Sequence, residues 1–485
     1  LENGANTSFV NRIANEETPV SEIIADPVEI AEREFNSGEM AQLIVRPRQI
    51  FLPDRVASAG LALTDASVRD PIAADIVRNF NAPVGAGVIG VGGVSIGGDS
   101  ALFVTSPHDK RERIGSVRLA TPQQLDDALA VASSASQRWD RTAADERARV
   151  LIAASQLFER DRTLLMTYLV REAGKTLEAA QAEVREAVDY LRYYAAEARR
   201  LFSAPVALKG PTGEENTLEL RGRGVFACIS PWNFPLAIFT GQVAAALAAG
   251  NTVVAKPASQ TPITAFLAVR LMHEAGVPKD VLNLLIGGGK LGDALVRDRR
   301  VAGVVFTGSN DTAWLIQRAL SDRRGTIVPF IAETGGINAM IADSSPLPEQ
   351  VVRDCVRSAY DSAGQRCSAA RVLFVQDDAA PRVKAMLAGA VEALDVGDPL
   401  DYATDIGPVI DEAAQDALES HKVRMHRDAR QIIDIMMPEL CRTGTYVTPA
   451  LYEIDRIDRL DKEVFGPILH FIRYERGHLD KVVAA

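Results

Sequence analysis

The chain has 485 residues, 47% of them hydrophobic and 24% charged, the balance of a globular protein of roughly two to four domains. A formal net charge of −11 and a pI near 5.3 argue against nucleic acid as a partner, because phosphate recognition relies on clustered Lys and Arg. The four cysteines, Cys228, Cys355, Cys367 and Cys441, form no CxxC pair. That pattern argues against a disulfide framework and a zinc site, leaves no metal expected, and fits a reducing, cytoplasmic setting.

Residues 1–45 differ from the rest. The string Leu1-Glu-Asn-Gly-Ala-Asn-Thr-Ser-Phe-Val-Asn-Arg12 is polar, and Pro19 and Pro27 are expected to break the stretch after it, leaving a loose leader. Residues 46–105 read as a connector with one short helix over Pro71–Phe80, proline in its first turn. Gly85, Gly87 and Gly90 then form a literal GxGxxG. No strand before it, helix after it or acidic residue about 20 positions on is evident, so it reads as flexible linker rather than a dinucleotide loop.

From Thr121 the pattern turns helical, with helices expected to Trp139, from Asp145 to Arg160, from Arg162 to Glu172 and from Lys175 to Leu201. Pro205 to Gly213 reads as a loop, and Thr217 to Arg223 as an exposed strand. Short apolar strands then alternate with helices. The strands are expected at Val225–Ser230, Thr252–Lys256, Val281–Ile286 and Val301–Thr307. The helices between and after them start near Phe239, Pro262, Leu291 and Asp311. The apolar window Leu236–Ala255 is long enough to suggest a membrane span, but Gly241, Gln242, Gly250 and Asn251 interrupt it. It reads as a buried helix followed by a buried strand. Such alternation implies a parallel sheet covered on both faces, a Rossmann-like nucleotide domain, with ligands at the carboxyl ends of the strands. Trp232-Asn233, Lys256 and Thr307-Gly308-Ser309 all follow strand ends. A second α/β unit starts near Glu333, with a helix over Pro348–Ser362 and strands at Ala370–Val375, Thr448–Tyr452 and Ile468–Tyr474.

The residues that could carry chemistry lie at strand ends and in the stretch that the Pro348–Ser362 helix delivers. Cys367 lies in Asp361-Ser-Ala-Gly-Gln-Arg-Cys-Ser-Ala369. Gly364 permits a tight turn there, and the Arg366 cation favours thiolate, the nucleophilic form. A lone cysteine is more often a small buried hydrophobe, which is the reading for the other three. Glu333 follows an apolar strand, where a carboxylate is costly unless used or paired, and desolvation would raise its pKa toward that of a general base. Asn233, in Pro231-Trp-Asn-Phe-Pro235, sits in a loop stiffened by two prolines and could donate to an oxyanion; an Asn satisfying its own loop is the plainer alternative. Ser309 could cap a helix whose N-terminus suits a pyrophosphate.

Taken together, these motifs, with Phe330-Ile-Ala-Glu-Thr-Gly-Gly336, Lys256-Pro-Ala258 and Glu463-Val-Phe-Gly-Pro467, resemble the aldehyde dehydrogenase superfamily from about Ser106 to the C-terminus. Within it, Ala332-Glu-Thr-Gly-Gly336 and the N-terminal leader are most similar to the bifunctional proline utilization A branch. The resemblance implies an α/β aldehyde dehydrogenase fold: 1–45 the tail of a proline dehydrogenase barrel, 46–105 a linker, 106–332 the NAD(P)-binding domain and 333–485 the catalytic domain. It also implies an incomplete oligomerisation flap and a sequence that is a fragment at both ends, the substrate-carboxylate anchor lying beyond Ala485. A flavin would belong only to a barrel preceding Leu1, and any membrane association only to the full-length protein.

The implied roles are Cys367 as nucleophile, Glu333 as general base for thioester hydrolysis and Asn233 with the Cys367 backbone N–H as oxyanion donors. Ser230, Pro231, Trp232, Lys256, Ser259, Phe306, Thr307, Gly308, Ser309, Thr334, Gly335, Glu463 and Phe465 would hold the cofactor. Phe234, Arg366 and Ser368 would contact substrate. Where the branch usually carries Glu after Lys-Pro-Ala this chain has Ser259, which does not repel a 2′-phosphate, so NAD is expected and NADP stays open. The implied reaction is oxidation of glutamate γ-semialdehyde to glutamate by a homo-oligomeric enzyme of the family. The alternatives are another aldehyde, such as succinate semialdehyde, or a nucleotide-binding piece without turnover.

Overall fold

Helix starts and stops along this chain follow local chemistry. In the computed structural model, which describes residues 13–15, 17–37, 45–82, 84–90, 93–95, 101–433 and 435–485, Pro122–Arg141 (α2) opens with Pro122 in its first turn and a capping box between Thr121 and Gln124. Gly174, at φ +67°, closes Arg162–Ala173 (α4) in the left-handed conformation. Between these lies Ala144–Arg160 (α3), and after them the long helix Leu177–Phe202 (α5), capped by Thr176.

The chain divides into two units, 1–57 and 58–485. In the first, the polar string Leu1–Arg12 lies outside the described residues. Pro19 and Pro27 do not break this stretch into a loose leader: each begins a helix, Val20–Ile23 following Pro19 and Pro27–Ser37 starting on Pro27. Proline fits there because the first helical N–H groups have no intrahelical partner.

In the second unit the stretch expected as linker is structured. Ala66–Phe80 (α1) is longer than expected, capped by Asp65, with Pro71 inside it and Ile76 fully buried. Gly85 lies in Val84–Ala86 (β1), Gly90 in Val88–Gly90 (β2), and Gly93–Ser95 (β3) comes next. The glycine run is therefore neither a dinucleotide loop nor a flexible linker. Ile89 is buried and pairs with Leu284 of the main sheet, so two short strands extend that sheet. Ala101–Thr105 (β4) and Arg113–Arg118 (β5) join β1 in a small sheet.

A seven-stranded sheet carries the order β12-β11-β8-β9-β10-β2-β3. Its members here are Val225–Ile229 (β8), Thr252–Lys256 (β9), Leu282–Leu284 (β10), Val301–Gly308 (β11) and Phe330–Thr334 (β12), all parallel. Ala237–Ala248 (α6), Pro262–Glu274 (α7), Gly289–Arg297 (α8) and Asn310–Ser321 (α9) cross between them. The window Leu236–Ala255 is α6 plus β9, almost wholly buried. No helix among the described residues is long and apolar enough to cross a membrane.

Two expectations change. Pro205–Gly213 is not simply a loop: Val206–Leu208 (β6) pairs with Asn216–Leu218 (β7) in an exposed hairpin. The second α/β unit does not begin at Glu333 either, because β12 completes the first sheet in register with β11, Thr307 beside Glu333. A second sheet of five strands starts at Ala339–Ala342 (β13), includes Arg430–Gln431 (β15) and Ala450–Glu453 (β16), and runs β13-β14-β17-β16-β15. Its central strands are Val372–Gln376 (β14) and Ile468–Tyr474 (β17), with Pro348–Tyr360 (α10) leading to the Cys367 loop. The helix Glu412–Asp428 that packs here was not foreseen; its apolar face is thin, with Leu418 and Met425 among its few buried residues.

Candidate active site

The first sheet presents the loops that follow its strands, at their carboxyl ends, and the second presents the loops that precede β14 and β17. From the first sheet, β8 ends at Ile229 and the chain enters the loop Ser230–Leu236. Asn233 there donates its side-chain amide to the Gln365 carbonyl at 3.1 Å, two residues before Cys367. From the second, α10 stops at Tyr360 and the backbone turns through Ser362 (φ 55°), Ala363 (φ 54°) and Gly364 (φ 66°). Left-handed conformation at non-glycine residues costs on the order of 1–3 kcal/mol each, so the surroundings must impose it.

The imposing groups are polar side chains that the sequence reading missed. Arg371, fully buried, donates to the carbonyls of Gly364 at 2.6 Å and Arg366 at 2.9 Å, and pairs with Glu463 at 3.0 Å. Gln365 donates to Ser362 and Pro408 and accepts from the Ile410 amide. Asn338 donates to the Cys367 carbonyl at 2.6 Å and to that of Ala369. An arginine four residues past the cysteine, at the head of an apolar strand, was the signal available for Arg371.

Cys367 is the exposed one of the four cysteines. Burial pushes the thiols of Cys228 and Cys355 up to about 12 and that of Cys441 up to about 11, so these three stay protonated and unreactive. Arg366 is half-buried, donates to Ser362 and lies 3.7 Å from Asp361. Ser368 is exposed and Phe234 partly buried.

Glu333 corrects its expectation. The strand β12 is an edge strand with Ile331, Ala332 and Glu333 exposed, so the desolvation anticipated for this carboxylate is absent. An apolar stretch of four residues does not reveal whether its sheet continues on the far side.

The cofactor candidates form two groups. Trp232 stands edge-on to Phe465, ring centres 5.5 Å apart, and a side chain at Gly335 would collide with the Glu463 carboxylate. Gly364 likewise abuts the Gly466 carbonyl, which leaves glycine as the residue that fits. Thus Trp232, Gly335, Glu463 and Phe465 come together beside the Cys367 loop. In the other group Lys256 is buried rather than on the surface; burial brings its ammonium down to about 8, and its Nζ donates to the Pro257 carbonyl. Ser259 is exposed, its Oγ reaching the Gly287 carbonyl at 3.4 Å. Ser309 caps α9 by accepting from the Thr312 amide, and Gly308 lies against the Phe306 ring. Thr307 accepts from Gln242. Thr334 is half-buried at the end of β12, and Pro231 is buried. The buried Ser230 hydroxyl and Gln242 side-chain amide oxygen have no partner among the described residues. Unpaired buried polar atoms near the Ser309-capped start of α9 fit a bound dinucleotide.

Residues 96–484 match the family described as "Aldehyde dehydrogenase family". The chain belongs to the aldehyde dehydrogenase family. Among its relatives, the bifunctional protein PutA of Klebsiella aerogenes is 45% identical over the whole chain, which spans 37% of that protein's length. The 1-pyrroline-5-carboxylate dehydrogenase of Geobacillus thermodenitrificans is 33% identical, matched over 79% of this chain and 75% of the relative. Among solved structures, a proline utilization A protein with proline bound in remote sites has a TM-score of 0.85 at 45% identity, covering 100% of this chain and 45% of that one. A 1-pyrroline-5-carboxylate dehydrogenase from Thermus with bound NAD has a TM-score of 0.82 at 28% identity, over 88% and 83% of the two chains.

Proposed function

We propose that this chain oxidises L-glutamate γ-semialdehyde, the open form of 1-pyrroline-5-carboxylate, to L-glutamate with NAD as oxidant, a step of proline breakdown carried out in the cytoplasm. The observation that carries the chemistry is the tie between Asn233 and the Gln365 carbonyl, which brings an amide donor to the loop of an exposed cysteine. The substrate follows from the relatives that act on 1-pyrroline-5-carboxylate.

The Cys367 thiolate adds to the aldehyde carbon, making a carbon–sulfur bond and an alkoxide. The Asn233 amide and the Cys367 N–H donate to that oxygen. Bound NAD supplies the acceptor for the hydride that leaves this carbon. Ser230, Pro231, Trp232, Lys256, Ser259, Phe306, Thr307, Gly308, Ser309, Thr334, Gly335, Glu463 and Phe465 would hold it. Loss of the hydride leaves a thioester on Cys367. Glu333 takes a proton from water as its oxygen attacks that carbonyl, the carbon–sulfur bond breaks, and glutamate departs with Cys367 as thiolate. Phe234, Arg366 and Ser368 line the approach to the sulfur. The seven-stranded sheet would then be the cofactor side and the five-stranded sheet the catalytic side. The exposed hairpin β6–β7 supports assembly into a homo-oligomer.

The test is reduced-cofactor formation from 1-pyrroline-5-carboxylate, with NAD and NADP in parallel and succinate semialdehyde as competitor substrate. The expected result is turnover with NAD that vanishes in Cys367→Ala while NAD binding stays. Faster turnover of succinate semialdehyde, or turnover that survives in Cys367→Ala, would overturn the reading. A preference for NADP would assign Ser259 the discrimination.

A further inference from the structure

Two buried glutamates meet the helices that come after the two site loops. The helix α6 begins just after Asn233 and Phe234, and no side chain of its own caps it. Its first amides are satisfied from another helix: Glu183, on α5, accepts from the N–H of Leu236 at 2.8 Å and of Ala237 at 3.2 Å. Glu183 is fully buried, and its second oxygen lies 2.9 Å from the Lys175 ammonium, itself 5% exposed. Lys175 also stands over the Phe234 ring, 4.1 Å from its centre. On the cofactor side, Glu172 caps α7 in the same manner, accepting from Ile263, Thr264 and the Thr264 hydroxyl, but among the described residues no ammonium accompanies it.

We infer that the Lys175–Glu183 pair positions the oxyanion loop, holding Phe234 from one side and the α6 amides from the other so that Asn233 points at the Cys367 loop. The inference rests on the proposed reaction, in which Asn233 is an oxyanion donor. A buried ion pair adds little net stability, since the cost of desolvation offsets the attraction. What this pair supplies is direction. One carboxylate oxygen is held by two amides and the other faces the ammonium as an ion pair, while the ammonium lies between that carboxylate and an aromatic face. Lys175 is itself placed by the turn between α4 and α5, where Gly174 is left-handed and pressed against Pro408 and the Lys175 amide donates to the Leu169 carbonyl. Neither residue touches the sulfur, so both are positioning residues. Displacement of a reacting group by about 1 Å costs about a hundredfold in rate, which sets the scale of the effect.

The test is the neutral double variant Lys175→Met, Glu183→Gln, which leaves no unpaired buried charge. The expected result is a folded protein with parental KM for NAD and parental rate of Cys367 alkylation, but a kcat about tenfold to a hundredfold lower. A second readout does not depend on activity. In fluorotryptophan-labelled protein the Trp232 resonance, on the loop itself, shifts, while that of Trp314, exposed on α9, stays. Should the double variant fail to fold, Glu183→Gln alone, which keeps an oxygen for the Leu236 amide, takes its place with the same readouts. Parental kcat with an unmoved Trp232 resonance overturns the inference. So does a shift of Trp314 equal to that of Trp232, which would make the pair a general stabiliser. Absence of turnover in the parent chain would instead unseat the proposed reaction, and the Trp232 resonance would still decide the role of the pair.

Discussion

The central strands β8 and β9 and the edge strand β12 all deliver site residues from one sheet, yet under opposite conditions. Every residue of β8 and β9 is buried, with a strand on either side. The loop after β8 is pinned by Glu183 and tied to Gln365, and Lys256 ends β9 in the interior. Among the described residues strand β12 has one neighbour, β11, and it exposes Glu333. A central strand passes its order to its terminal loop, because both ladders and both faces constrain it. An edge strand leaves one row of backbone groups free and its side chains in water. The groups that must not move in the proposed reaction thus sit at the centre of the sheet. The group that must meet water sits at its edge.

The largest test of this contrast is Glu333→Gln. If the edge carboxylate serves only the hydrolytic step, steady-state turnover should fall by about 10²–10⁴-fold while a first burst of reduced cofactor, one per chain, survives in rapid mixing. Loss of the burst would mean that Glu333 acts before the thioester. Next comes Asn233→Ala, expected to lower the burst rate itself by about 10²–10³-fold, as removal of an oxyanion donor does, with cofactor affinity unchanged by fluorescence titration.

Lys256 gives a smaller effect that depends on pH. Burial depresses its ammonium to about 8, so the charge is present below that pH and lost above it. NAD affinity should weaken by about tenfold as pH rises through 8, a charge-assisted hydrogen bond being lost, and should be flat with pH in Lys256→Met. Equal pH profiles in the two proteins would place the lysine outside the cofactor contact.

The smallest concerns Glu172, the cap of α7, whose carboxyl burial raises to about 7 against its hydrogen bonds. Its folded value exceeds the unfolded one. Its contribution to stability is therefore fully present below pH 4.5 and is lost as pH rises toward 7. Denaturant unfolding across that window should show a decline in the parent, on the order of 1–3 kcal/mol, that Glu172→Gln removes. An unchanged slope in the variant would locate the pH dependence elsewhere.

Much of the molecule was legible from residue order. The helices from Thr121 to Phe202, the alternation of strands and helices to Leu320 and the strand-end positions of Trp232, Lys256 and Ser309 all follow from apolar spacing and from Pro, Gly and Thr at element ends. These signals are local: a cap, a turn or a period is complete within a few residues. So is the chemical character of the Cys367 motif, and with it the family.

Tertiary structure decided what depends on distant neighbours. It turned the glycine run at Val84–Gly90 into sheet, because β10 offered Ile89 a partner nearly two hundred residues away. It set β12 at an edge and Glu333 in solvent, since four apolar residues cannot reveal whether another strand will cover them. It also buried Arg371, Lys175 and Glu183. A charged side chain reads as surface until the fold supplies the carbonyls, amides and counter-charge that offset its burial.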